Sequence, residues 1–317
     1  MKREDIERVL SANDSTLLSF PDRGPWGDKR YRGNCSGYIQ AFLVWKYRVQ
    51  KLAELFSGSG TGYDVAKDMG ISYVGADLNP NPVRPGILNI DVMKDEVPEE
   101  FLDADFLFMH PPYGKEIGIP YAGSMYKDPT GELSSSDLGQ MPWDDFMAAL
   151  NKCVMEYYAA MQSGSRMGIL MGDVRRNGKV NSMLCDIVKP GDLEQIIIKA
   201  QHNCVSDGRT YSNRNFVPIV HEYIMVIKKI APYLIAYKFP MKREFDIRDS
   251  ANATWRDVIR AVLEKNGRDM SLSELYAEID GHNKCKSNPN WPEKVRQTLQ
   301  RYNCFERVSN GVWALAA

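Results

Sequence analysis

A short apolar run, Asp105-Phe106-Leu107-Phe108-Met109, stops at His110-Pro111-Pro112-Tyr113, and few folds accommodate such a stretch. The run is brief, aromatic-rich and unbroken, as a strand buried on both faces is. Two prolines cannot extend a hydrogen-bonded ladder, and they restrict the backbone that follows. The stretch therefore reads as a rigid turn at the carboxyl end of a strand, the edge at which open α/β sheets receive ligands. His110 supplies a hydrogen-bonding group there and Tyr113 a flat ring. That pairing suits a planar, amine-bearing substrate such as a nucleobase.

Upstream segments repeat the form. Lys51 to Phe56 reads as a strand, Ser57-Gly58-Ser59-Gly60-Thr61-Gly62 as a turn, and Tyr63 to Met69 as a helix. Such a turn brings helix-start N–H groups to a ligand. The last glycine spacing falls one residue short of the dinucleotide fingerprint, and the turn lacks the Lys of a phosphate-binding loop. By itself it reads equally as a tight connection. The next strand, Ile71 to Ala76, ends at Asp77 and Leu78, where a carboxylate can accept from ribose hydroxyls. Gly86-Ile87-Leu88-Asn89-Ile90 ends at Asp91, within reach of an adenine ring. One acid alone reads as a cap; ligand-type residues at three successive strand ends do not.

The remaining segments keep the strand–helix alternation. Residues 1–20 read as a short charged helix and polar turns, and Tyr38 to Tyr47 as a core helix. Between them, Asp22 to Gly37 is rich in Gly, Arg and aromatics. It is a surface loop or one that covers a ligand, with Asn34 and Ser36 as its hydrogen-bonding groups. After the central turn, Gly114 to Met141 is long and polar, holds Tyr121 and Tyr126, and reads as a lid or substrate loop. A helix from Trp143 to Met161, a strand from Arg166 and a helix from Asn181 to Val188 follow. Strands at Leu193–Lys199 and Phe216–Lys228 enclose a polar loop carrying Arg209 and Arg214, which meets a polar partner or simply closes a hairpin.

Composition narrows the setting. The 317 residues exceed what one small domain needs, and 44% hydrophobic with 26% charged content is that of an ordinary globular chain. A formal net charge of −1 gives no global attraction to nucleic acid, so any basic surface is local. Six cysteines without a CxxC pair fit neither a zinc site nor a disulfide framework, and no metal is expected. The amino terminus is charged, and no stretch approaches the roughly 20 apolar residues of a membrane span. The expectation is a cytoplasmic protein without membrane contact.

Periodicity fades over 231–253, which reads as a linker between a domain at 1–230 and a second at 254–317. In the second, Thr254-Trp255-Arg256-Asp257 and Ser271-Leu272-Ser273-Glu274 open helices with capping residues. A third helix is expected from Pro292 to Tyr302, then a hairpin turning at Asn310-Gly311. Three helices and a hairpin suggest a winged helix, with Lys284, Lys286, Lys294, Arg296 and Arg301 near its third helix. The alternative is a solvated face or a protein-contact module.

Taken together, residues 22–230 resemble the S-adenosylmethionine-dependent DNA amino-methyltransferases, which modify adenine N6 or cytosine N4. Phe56-Ser57-Gly58-Ser59-Gly60 resembles their cofactor glycine motif, Asp77 their ribose acid and Asp91 their adenine-contacting acid. His110-Pro111-Pro112-Tyr113 resembles the catalytic tetrapeptide, and Gly33-Asn34-Cys35-Ser36-Gly37 the segment closing over the methionine end of the cofactor. The order, cofactor motifs before tetrapeptide, matches some family classes and not others. The resemblance implies a Rossmann-like α/β sheet, mostly parallel, of seven strands with one antiparallel edge strand. It also implies S-adenosylmethionine as cofactor, duplex DNA with a flipped base as partner, and a prokaryotic or phage setting compatible with a restriction endonuclease partner. Tyr126, Arg209, Arg214, Lys284, Lys286, Lys294 and Arg296 are then expected at the nucleic acid.

One departure stands out: the family usually has Asp, Asn or Ser where this chain has His110. A neutral imidazole offers one acceptor nitrogen, so activity would fall below roughly pH 6, near the ordinary histidine pKa. Competing readings are methylation of RNA guanine N2 or of a protein glutamine, and a non-catalytic cofactor-binding subunit. The intact cofactor motifs count against the last.

Overall fold

The computed structural model describes residues 1–123, 125–128, 130–202, 215–230, 235–241, 246 and 253–316. The chain divides into two units, Met1–Pro240 and Met241–Ala317.

The first unit opens with α1 (Arg3–Ser11), β1 (Leu17–Leu18) and α2 (Gly37–Lys46), then alternates β2 (Lys51–Leu55), α3 (Thr61–Met69), β3 (Ser72–Asp77), β4 (Ile87–Asn89) and β5 (Phe106–Met109). It continues through α4 (Gly114–Ile117), α5 (Trp143–Ala160), β6 (Arg166–Met171), β7 (Asp173–Arg176), β8 (Lys179–Ser182), α6 (Met183–Asp186) and β9 (Lys189–Pro190). The strands β10 (Asp192–Ala200), β11 (His221–Lys228) and β12 (Tyr237–Lys238) complete it. The main sheet has the order β1-β10-β11-β6-β5-β2-β3-β4. From β2 the chain steps outward to β4 and returns to β5 on the other side. The β2/β5 junction is therefore the switch point at which such sheets form ligand crevices.

Alternation assigns each side chain to a face. Phe106 and Phe108 join the layer of Ile39, Phe42 and Leu43 on α2 and Val65 and Met69 on α3. Leu107 and Met109 join Phe146, Leu150, Val154 and Tyr157 of α5 on the opposite face. Burial on both sides is why β5 reads as an unbroken apolar run.

Three expectations are corrected. Among the described residues the sheet has eight strands, not seven, because two residues of β1 pair in parallel with Ile198 and Lys199 of β10. The antiparallel strand is not at the edge: β11 runs against both β10 and β6 inside the sheet. The helix expected from Asn181 to Val188 is replaced by the end of β8 and the single helical turn α6. Asn177 and Gly178, both at positive φ, form a tight turn that draws Lys179–Ser182 into a hairpin with β7. The loop Gly114–Met141 contains α4 and short 3₁₀ turns at Glu132–Ser135 and Leu138–Gln140.

The second unit, described by itself, holds α7 (Trp255–Asn266), β13 (Met270–Ser271), α8 (Leu272–Ile279), α9 (Asn283–Lys286), α10 (Trp291–Arg301), β14 (Phe305–Ser309) and β15 (Val312–Leu315). Both expected capping boxes are present, Thr254 with Asp257 and Ser271 with Glu274. The strands form a sheet of order β13-β15-β14 over a core of Val258, Ile259, Val262, Leu275, Val295 and Leu299. Most of the linker expected at 231–253 lies outside the described residues.

Candidate active site

The glycine turn is shaped by backbone that ordinary residues resist. Phe56 has φ +62° and Gly58 φ +46°, and Gly60 starts α3 from the left-handed region with no side-chain cap. Asp77 ties this turn to the end of β3: one carboxylate oxygen accepts from the Gly58 N–H at 2.7 Å, the other from the Asn79 N–H at 2.9 Å. Burial raises the Asp77 carboxyl above its usual range, and those two N–H groups oppose the rise. Gly62 has a separate reason to be glycine. A Cβ there would stand 2.4 Å from Glu54 Oε2 and 2.6 Å from Gln40 Oε1.

Glu54 reads in the sequence only as part of a strand, yet it lines the same cavity as Asp77. Its signal is a lone acid inside the apolar run Leu52-Ala53-Glu54-Leu55. Gln40 Nε2 and the Tyr73 hydroxyl each donate to it at 2.5 Å. Gln40 Oε1, also lining the cavity, is buried without a hydrogen-bond partner among the described residues. Burial pushes the Glu54 carboxyl up to about 7, against those hydrogen bonds. A raised acid stabilises the fold fully below its ordinary pKa of 4.5, and that contribution is lost as pH rises through about 7. The difference in unfolding free energy between wild type and Glu54→Gln is thus expected to change by about 3 kcal/mol over that interval. Urea melts across that pH range check this; parallel curves would remove the raised pKa.

Loops close the cavity. Asn34 accepts from the Thr61 hydroxyl at 2.8 Å and so ties the Asp22–Gly37 loop to the start of α3. Ser36 instead caps α2, accepting from the Tyr38 N–H, and lines a neighbouring cleft. Tyr31, Tyr121 and Tyr126 form a row, with ring centroids 6.1 and 6.3 Å apart. Asp137 holds the second loop by accepting from the N–H groups of Tyr121, Ala122 and Gly139 at 2.8–2.9 Å. Phe56, Ser57, Gly58, Leu78, Ile90 and Val92 complete the cavity.

Two expectations change here. The Asp91 side chain does not line the cavity: it accepts from the Ser136 hydroxyl at 2.5 Å and the Met93 N–H at 3.0 Å, and pairs with Lys94 at 2.9 Å. Its neighbours Ile90 and Val92 line the cavity instead, while Asp91, two residues past the end of β4, caps the turn that follows. Tyr126, expected on a nucleic-acid surface, is buried in the cavity wall with its hydroxyl 3.5 Å from that of Tyr31.

His110 lines both this cavity and an adjoining cleft of about 600 Å³. The cleft is also walled by Pro111, Pro112 and Tyr113, by Lys29 and Asn34, and by Lys199, His202 and Glu222. The Tyr113 hydroxyl donates to Glu222 Oε1 at 2.9 Å and lies 3.4 Å from His110 Nε2. Burial pushes the His110 pKa down to about 4, although Glu222 acts in the opposite sense. The acid limit expected near pH 6 therefore moves to about pH 4. The site can hold a neutral acceptor between two cavities at physiological pH.

Arg209 and Arg214 lie outside the described residues. In the second unit Lys284 and Lys294 meet Arg256, Arg301, Trp255 and Tyr302 around a cavity of about 250 Å³. Arg296 turns to Glu293 at 2.6 Å, and neither it nor Lys286 lines that cavity. Among the described residues no helix is long and apolar enough to cross a membrane.

No family model and no curated protein matches the chain. Solved structures similar to it include TrmN from Thermus thermophilus, at 15% identity and TM-score 0.39, over 63% of this chain and 50% of that one. A second Thermus thermophilus protein, provisionally named a DNA modification methylase, follows at 18% identity and TM-score 0.25, over 48% and 52%. The N-methyltransferase NodS from Bradyrhizobium japonicum, solved with S-adenosyl-L-homocysteine, follows at 9% and 0.35, over 72% and 97%. The chain thus spans about half the length of the first two.

Proposed function

We propose that the chain is an S-adenosylmethionine-dependent methyltransferase acting on an exocyclic base amine in DNA, adenine N6 first and cytosine N4 second. The observation that carries this reading is the position of His110, on a wall shared by two cavities. One is built for a nucleoside: an acid at the end of β3, a glycine turn beneath it and an apolar slot of Phe56, Ile90 and Leu138. Glu54 and the orphaned oxygen of Gln40 fit an ammonium donor, so the residues present suit the cofactor's charged end as well as its nucleoside. When bound, S-adenosylmethionine supplies a methyl group on a positively charged sulfur.

The protein's own part is to position and polarise. A base amine is a weak nucleophile because its lone pair is delocalised into the ring. An acceptor on one amine hydrogen, the His110 imidazole, and a second on the other, the Pro111 carbonyl, favour a tetrahedral nitrogen whose lone pair points at the methyl group. After transfer, neutral His110 takes the surplus proton. Tyr113 offers its ring to the flipped base.

Mass spectrometry of nucleosides from mixed-sequence duplex DNA and from total RNA, each treated with protein and S-adenosylmethionine, tests the reading. Methylated adenine or cytosine in DNA, absent with His110→Ala, is the expected result. Methyl groups confined to RNA would overturn the choice of DNA.

The second unit supports DNA as substrate in the manner of a winged helix. Beside its three-stranded sheet, α7, α9 and α10 gather Arg256, Lys284, Lys294 and Arg301 around one cavity with the rings of Trp255 and Tyr302. Replacing Lys284 and Lys294 together by alanine is expected to weaken duplex binding irrespective of sequence. The slope of log affinity against log salt should fall by about 2, roughly one for each phosphate that a lysine no longer neutralises. Fluorescence anisotropy at several salt concentrations reads both, and an unchanged slope would place DNA elsewhere.

A further inference from the structure

A line of four polar side chains crosses the carboxyl edge of the sheet. Lys199, next to last in β10, stands opposite Glu222 in the β10–β11 register and forms a largely buried ion pair with it. Glu222 uses its other oxygen to accept from the Tyr113 hydroxyl at 2.9 Å, and that hydroxyl lies 3.4 Å from His110 Nε2. The packing leaves no slack. A Cβ on Gly172 would stand 3.0 Å from the Tyr113 ring and 3.4 Å from Glu222 Cγ. Burial alone would raise the Glu222 carboxyl, but the Lys199 ammonium outweighs it, helped by the hydrogen bonds from Lys199 and Tyr113, and the acid sits below its usual range.

An ionised carboxylate only accepts hydrogen bonds. Tyr113 has one hydroxyl proton, and it is committed to Glu222. Its oxygen can then meet His110 Nε2 only by accepting, which requires the hydrogen to be on Nε2. A neutral imidazole with hydrogen on Nε2 has its lone pair on Nδ1. We infer that Glu222, anchored by Lys199, is a positioning residue that acts through Tyr113 to hold His110 as the Nε2–H tautomer, presenting Nδ1 to the substrate amine. The role of Nδ1 rests on the methyl-transfer reading; the tautomer does not.

The test uses the full chain labelled with ¹⁵N-histidine at pH 7, without cofactor or nucleic acid, and His110→Ala assigns the ring among the four histidines. The wild type is expected to show hydrogen on Nε2 and a bare Nδ1. In Glu222→Leu the Tyr113 proton is released to donate to Nε2, and the hydrogen of His110 should move to Nδ1. Lys199→Arg keeps the pair and should keep the wild-type pattern. In turnover, Glu222→Leu should lower kcat by about 10²–10⁴-fold, the mark of an imidazole in the wrong tautomer, with the cofactor KM unchanged. Hydrogen on Nδ1 in the wild type, or on Nε2 in a folded Glu222→Leu, would overturn the inference. If that variant does not fold, Tyr113→Phe reads the same point: a mixture of tautomers supports the relay, and an unmixed Nε2–H ring overturns it. An overturned tautomer alongside methylated DNA leaves the reaction standing; the predicted tautomer without any methylated nucleoside removes the reaction, and with it the role given to Nδ1.

Discussion

Replacing His110 by alanine is expected to lower kcat by about 10²–10⁴-fold, the usual contribution of a positioned proton acceptor. Binding of S-adenosylmethionine should change little, because Asp77, the glycine turn and Glu54 are untouched. The pH profile separates this role from simple wall packing. Burial lowers the ring's pKa to about 4, so the wild-type rate, followed under chemistry-limited conditions, should stay nearly level to about pH 5 and be halved near pH 4. A fall centred near 6 would mean that the ring is solvated during turnover. A profile level to pH 3 would take the imidazole out of the chemistry.

Replacing Asp77 by alanine is expected to act on both folding and cofactor binding. Its two oxygens accept from Gly58 and Asn79, and their loss orphans two N–H groups at a buried turn. At about 1–3 kcal/mol for each unsatisfied group, stability should fall by about 2–6 kcal/mol. The ribose hydroxyls would lose a charged acceptor too, and affinity for S-adenosylmethionine should drop about a hundredfold or more. Asp77→Asn retains one acceptor oxygen and should recover part of the stability without the affinity. Chemical denaturation and calorimetric titration measure the two effects separately. Equal affinity for wild type and Asp77→Asn would show that the carboxylate serves the turn alone.

The features legible in the sequence were those that local chemistry dictates. The prolines after Met109, the glycine turn before α3 and the acid closing β3 each announce themselves within a few residues, and Gly58, Asp77 and His110 do line one cavity. Asp91 misled because a terminal acid looks the same whether it faces a ligand or caps its own turn. Only the contact with Ser136, forty-five residues on, decides between them. Tyr126 misled similarly, since a tyrosine in a long polar loop carries no mark of whether its ring folds inward. Glu54 and Glu222 were missed for a different reason. Both sit within strands, where alternation predicts burial and therefore an apolar residue. Their partners Gln40, Tyr73, Lys199 and Tyr113 come from other elements that the chain order does not bring together.

Because β11 is reversed within a parallel sheet, it brings Glu222 to the active edge by its beginning rather than its end. Around the rest of that edge, variation after a strand retunes the site while variation before it touches only the opposite rim. For β11 the rule inverts: a change just ahead of His221 falls beside the chemistry, and one just past Lys228 falls far from it. Glu222 is thus set in the cleft by the chain that enters β11, whereas His110 and Tyr113 are set there by the chain that leaves β5.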